Sequence, residues 1–268
     1  MRLAPIFSAV MALSVAACSG DGGAFHGDNY TTVLQQANQA RQSGDLDSAI
    51  PLYGRALQAN PEGAEAKLGL GQCYLSMGAG EEAAALFREV LAKRSGDTVA
   101  MRGLAGALLT QGQPELAEKQ AEGAFQADRR DYRALNVMGV ALDMQGRHAE
   151  AQAKYREGIE IAPDYVPLRA NAGLSLAISG QPLEAIAQLA PAAGGRGADG
   201  RLRQNLAFAY AMAGDMTNAL LISRKDLPEA SAQRQLSYFI QLRSLPPEQR
   251  SAEIRRNPNF FPQSSKSI

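Results

Sequence analysis

The sequence predicts an all-α fold, a solenoid of about six stacked helical hairpins, and three observations predict it. The first is the stretch from Tyr132 to Tyr165. Leu135, Met138, Gly139 and Leu142 form one apolar stripe at helical spacing, and after a break at Gly146 a second stripe follows through Ala151, Tyr155, Ile159 and Ile161. Pro163 closes the unit. The second is its period. Glycine recurs every 34 residues at Gly44, Gly78, Gly112, Gly146, Gly180 and Gly214, with alanine five residues after each at Ala49, Ala83, Ala117, Ala151, Ala185 and Ala219. The third is composition. The chain has 268 residues, 46% of them hydrophobic but only 6% aromatic, as expected where small side chains build the helix interfaces. One hairpin cannot bury both of its stripes, so it needs neighbours of its own kind.

Two further positions complete the unit. Seven residues before each glycine stands a small residue: Ala37, Gly71, Ala105, Gly139, Gly173 or Ala207. Nine residues after it, four units carry a large one: Tyr53, Phe87, Tyr155 and Leu189. The period and these positions resemble the tetratricopeptide repeat over residues 30–227, as units 30–63, 64–97, 98–131, 132–165, 166–199 and 200–227. The tryptophan of the family's first conserved position is absent, its place taken by Val33, Lys67, Met101, Leu135, Arg169 and Arg203. The resemblance implies a right-handed superhelix whose first helices line a concave groove.

From the N-terminus, residues 1–17 read as a lipoprotein signal peptide, with Arg2 as its positive start and Leu3 to Val15 as its apolar run. Val15-Ala16-Ala17-Cys18 resembles a bacterial lipobox, which makes Cys18 the expected lipidation site. Three acyl chains, at ~0.8 kcal/mol per buried methylene, would anchor the chain durably. Ser19 after the cysteine resembles the signal for transfer to the outer membrane, periplasmic face. Residues 18–29, with four glycines after Cys18, read as a flexible tether. His26 within it has no second ligand nearby and reads as a solvated loop histidine.

In the second unit, Cys73 reads as a small buried thiol without a disulfide partner. Pro114 and Pro182 suit the first turn of a second helix. Residues 195–200 match the letters G-x-G-x-x-G, but no strand precedes them, so the stretch reads as a flexible turn rather than a dinucleotide site. The sixth unit has a shortened, more polar second helix. Residues 228–245 read as a capping helix with Leu236, Phe239, Ile240 and Leu242 as its apolar members. Pro246-Pro247 ends it, and 246–268 reads as a mostly disordered tail, its Phe260-Phe261 included.

The chemistry is that of binding rather than catalysis. No lysine-bearing phosphate loop, metal-ligand spacing or serine elbow is present, and the two histidines are far apart, so neither cofactor nor metal is expected. Glu81 and Glu82 open a second helix and face its dipole. Lys plus Arg and Asp plus Glu are 27 each, which gives no field for nucleic acid. By the resemblance, partner choice falls on groove positions of the first helices. These are Arg133, Asn136, Val140, Asp143 and Met144 in the fourth unit, Asn171, Leu174 and Ile178 in the fifth, and Gln204, Asn205, Phe208 and Met212 in the sixth. Co-chaperone members of the family clamp a terminal carboxylate there. Asn136, Asn171, Arg201 and Asn205 echo part of that clamp, but its lysine is missing and Val140 replaces an asparagine, which favours a helix or extended peptide as ligand.

A narrower resemblance joins the lipobox, the length and the run from Arg203 to Leu242. The chain resembles the TadD family of tight-adherence (Tad/Flp) pilus lipoproteins. That resemblance implies a pilotin-like accessory holding a secretin or another pilus component. A general envelope scaffold, for outer-membrane protein assembly or peptidoglycan enzymes, is the alternative, and an enzyme the weak one.

Overall fold

Six glycines set the architecture. In the computed structural model, which describes residues 29–194 and 200–257, Gly44, Gly78, Gly112, Gly146, Gly180 and Gly214 have φ between 69° and 94°, and among the described residues no other position is left-handed. Each ends a helix as predicted. At Gly146 the closure is a Schellman motif: its N–H donates to the Asp143 carbonyl at 2.9 Å, and the Arg147 N–H to Leu142 at 2.9 Å.

The hairpins are α1 (Tyr30–Ser43) with α2 (Leu46–Ala59), α3 (Ala64–Ser76) with α4 (Gly80–Lys93), and α5 (Thr98–Thr110) with α6 (Pro114–Ala127). They continue with α7 (Tyr132–Met144) and α8 (His148–Ile161), α9 (Val166–Ile178) and α10 (Pro182–Ala193), and α11 (Gly200–Ala213) and α12 (Met216–Ser223). Then come α13 (Glu229–Ser244) and α14 (Pro247–Arg256). Asp45, Asp97, Asp131 and Asp215 cap their helices by accepting a backbone N–H three residues on. Pro114 and Pro182 occupy first turns, and Glu81 and Glu82 the first turn of α4. No strand occurs among the described residues.

Why the hairpins stack is clearest at the large residues. Tyr53, Phe87, Tyr155 and Leu189 are almost wholly buried. Phe87 lies against Gly71 in its own hairpin and against Gly103 in the next, where an added Cβ would meet the ring at 2.8 Å and 2.4 Å. The ring is thus a wedge between two successive first helices, and its glycine seats admit it. The third unit has Ala121 in the wedge position, and the following unit has Val137 where glycine stands at 69 and 103. Both Ala121 and Val137 are fully buried, so the volume has moved across the joint rather than vanished.

Two expectations need correction at the C-terminus. Pro246-Pro247 does end α13, since Leu245 before it is extended, but Pro247 then occupies the first turn of a new helix. Residues 247–256 are therefore helical rather than disordered. On α13, Leu236, Phe239 and Leu242 are buried, whereas Ile240, at the edge of that stripe, is 46% exposed. The predicted signal peptide, Cys18, the tether with His26, most of the glycine-rich 195–200 turn, and Phe260-Phe261 lie outside the described residues. Among those described, no helix is long and apolar enough to cross a membrane.

Candidate functional site

Successive first helices touch one another. α1 packs on α3, α3 on α5, α5 on α7, α7 on α9 and α9 on α11, while the second helices pack on first helices. The first helices are thus the inner, tighter layer of a curved stack, and the side chains on its open side define the candidate binding surface.

The structure separates the predicted groove residues into three groups. Arg133 and Gln204 are exposed, and Met144 is half-buried. The Arg133 guanidinium lies over the Tyr132 and Tyr165 rings, at 5.7 Å and 5.8 Å from their centres, and those rings meet edge-on at 4.9 Å. The second group consists of amides and an acid that tie helices together. Asn171 (2% exposed) donates through Nδ2 to Asn136 Oδ1 at 2.9 Å, joining α9 to α7. Asn205 donates to the Ala170 carbonyl at 3.0 Å, joining α11 to α9. The third group, Val140, Leu174, Ile178, Phe208 and Met212, is buried in apolar cores. Nine of the twelve are thus engaged within the free protein: at these close helix contacts a polar side chain needs a partner, and the neighbouring helix supplies it.

Asp143 has the densest set of partners. Its Oδ1 accepts from the Ser175 hydroxyl at 2.7 Å and lies 2.8 Å from His148 Nδ1, and its Oδ2 accepts from the Tyr155 hydroxyl at 2.9 Å. Burial pushes the Asp143 carboxyl up, against the contacts with His148 and Ser175 that favour its charge. Burial and the nearby Asp143 raise the Tyr155 phenol well above its ordinary range. The order of contacts is not that of a nucleophilic triad, because Ser175 meets the carboxylate and not the imidazole, whose Nε2 is buried without a partner. The cluster binds α7, α8 and α9 to one another.

The inner face at the other end was missed. α1 carries Gln35 and Gln42 exposed, with Leu34 half-buried, and α3 presents Gln72 and Leu68 half-buried. Leu34, Gln35, Gln42, Leu68 and Gln72 stand at the same unit positions as residues named in later units, so counting back by multiples of 34 would have found them. Asn38 there accepts from the Tyr53 hydroxyl at 2.6 Å, which in turn accepts from Arg41 at 3.1 Å. Arg102 pairs with the buried Asp131. Cys73 is buried and unpaired, and burial raises its thiol pKa. A cleft of about 270 Å³ is lined by the exposed Gln204 together with Ser223, bonded to Gln235, and Asp226, paired with Arg203. No cluster of three or more His, Cys, Asp or Glu occurs among the described residues.

With this geometry in place, comparisons with known proteins are informative. Three sequence profiles of the tetratricopeptide repeat match, at residues 34–98, 75–140 and 132–165. An uncharacterized protein, y4yS, of Sinorhizobium fredii is 35% identical over 94 residues, covering 35% of this chain and 52% of its own. The cellulose synthase operon protein C of Pseudomonas fluorescens is 28% identical over 144 residues, 50% of this chain and 11% of that one. The chain thus spans about half of the first relative and a small part of the second. Among solved structures, a tetratricopeptide repeat protein from Parabacteroides merdae covers 87% of this chain and 93% of its own (TM-score 0.60, 17% identity). Pseudomonas aeruginosa PilF covers 85% and 96% (TM-score 0.57, 17% identity). The Cut9 and Hcn1 assembly gives a TM-score of 0.67 at 15% identity, over 81% of this chain and 43% of that one. At these identities the structures share the fold alone.

Proposed function

We propose, from the premise that the chain is a tetratricopeptide-repeat protein, that it is a scaffold whose inner helical layer holds a segment of a partner protein in the bacterial envelope. The observation that carries the reading is the contrast along that layer: exposed amides and half-buried leucines on α1 and α3 suit a peptide backbone and its apolar side chains. The scaffold is anchored by lipid on Cys18 to the periplasmic face of the outer membrane. Its system is the biogenesis of a Tad/Flp pilus, and its role there is pilotin-like assistance to the secretin. The lipobox letters and the similarity to the TadD family from Arg203 to Leu242 support these finer parts. Binding is passive: the lipid sets the place and the groove sets the partner.

Two experiments test it. A secretin, a pilus ATPase and a small pilin encoded beside the gene would favour the pilus over a general envelope scaffold. In the bacterium, Cys18→Ala is expected to release the protein from membranes and to reduce secretin multimers and surface pili. Normal multimers and pili in a strain lacking the protein altogether would remove the pilotin role.

A further inference from the structure

Closing the solenoid does not require α14. α13 already covers the sixth hairpin through Leu236, Phe239 and Leu242, with the Phe239 ring 5.3 Å from Phe208 on α11. Yet the chain turns at Pro246-Pro247 and continues into α14, which packs on α13 and reaches back to α9. α9, α11 and α13 follow one another along the stack. A helix touching the first and last of them bridges the end of the inner layer. Ile254, its one large apolar residue, is fully buried in the core that holds Leu174, Ile178, Phe208 and Met212. The chain's own C-terminal end thus shares one apolar core with four of the predicted groove residues.

Polar bonds among the described residues add to the attachment. Arg250 donates through Nε to the Leu242 carbonyl at 3.0 Å and through a terminal nitrogen to Leu245 at 3.0 Å, capping α13. Asn257 donates to the Tyr238 hydroxyl at 3.1 Å. Ordering ten residues offsets most of what one buried isoleucine and these bonds contribute. Covalent attachment at Pro246 keeps even a weak self-ligand at about millimolar effective concentration. That is the energetic profile of an occupant that can be exchanged.

We propose that α14 is a built-in occupant of the groove at the fifth and sixth repeats. The partner that replaces it is a short helix of another protein, with one branched aliphatic anchor flanked by arginine and other polar residues. The inference rests on the reading of the inner layer as a binding surface, and gives that layer a second position, at the fifth and sixth repeats, with the shape and anchor chemistry of the ligand there. It also implies competition, because a partner binds only the fraction of molecules whose own helix has left.

The test uses the full chain and a fluorescent synthetic peptide of residues 246–257 as probe. Wild-type protein is expected to bind the peptide at least about 10-fold more weakly than the Ile254→Asp variant, whose helix no longer competes. Arg250→Ala, which loosens the helix without touching the anchor, is expected to fall between the two. A peptide carrying Ile254→Asp is expected to bind neither. Amide exchange is read in parallel, with α1–α13 protected in both variants and α14 exchanging freely. No uptake by either variant, or equal uptake by wild type and variants, would overturn the proposal. So would loss of protection across α9–α13 in both variants, since α14 would then be part of the fold. Failure here leaves the groove reading standing, whereas normal pili without the protein would remove its pilotin role without altering the peptide result.

Discussion

The first and fourth hairpins are built on one 34-residue template and use it differently. In both, a tyrosine nine residues after the turn glycine is buried and its hydroxyl is answered from the first helix. In the first hairpin the answer comes from Asn38 and Arg41 at the margin of the stack, with exposed glutamines alongside. In the fourth it comes from Asp143, fully enclosed and shared with His148 on α8 and Ser175 on α9. The difference teaches that the repeat determines where the backbone goes, while each unit's place in the stack determines whether its inner side chains meet water or another helix.

The comparison is broken most severely at Asp143. Asp143→Ala leaves the Tyr155 and Ser175 hydroxyls and the His148 ring enclosed without a partner, and is expected to destabilise by about 3–5 kcal/mol. Asn38→Ala in the first hairpin is expected to cost only about 1 kcal/mol. Urea unfolding compares the two, and amide exchange should localise the first effect to α7–α9. Similar losses for both would mean that the buried cluster contributes no more than the marginal one.

Glycine sharpens the contrast. A Cβ on Gly139 meets the Tyr155 ring at 2.3 Å, so Gly139→Ala is expected to destabilise by about 1–3 kcal/mol. Gly54, within α2, has open space around it. Gly54→Ala is expected to stabilise by about 0.5–1 kcal/mol, because alanine loses less backbone freedom on entering a helix. Opposite shifts in melting temperature are the expected result.

The smallest effect concerns acid. Glu229, at the start of α13, is held down to about 2 by its bonds with Arg224, then Gln233. A depressed folded pKa contributes stability that is fully present above the unfolded value near 4.5 and is lost as pH falls through about 2. The pair is exposed, so its contribution is small and screened by salt. An NMR titration is expected to show Glu229 half-protonated near pH 2, with half-protonation near 4.5 counting against the pair.

The fold was legible because its determinants are local. Each turn glycine has a left-handed φ that a glycine meets without strain, and each wedge has a small residue seven positions before the same glycine, so letters at fixed offsets suffice. The site was less legible because burial is a property of neighbours. Asn136, Asn171 and Asn205 are amides that could serve a ligand or another helix equally well, and only the spacing of the stacked helices decides. Pro246-Pro247 carries the same ambiguity, since the proline that ends one helix suits the first turn of the next. Ile240 and Phe239 are adjacent letters, yet one faces α11 and the other solvent.

The wedges have a mechanical side. A stack of hairpins is a spring, and its stiffness at each joint depends on how tightly the two sides interlock. A rigid ring seated across two glycines resists both stretching and twisting. At the joint between the third and fourth units the ring is replaced by Ala121 and Val137, both fully buried. Under load from either end, the joints therefore resist by different means: a rigid ring held in glycine seats at one, close-packed small side chains at the other.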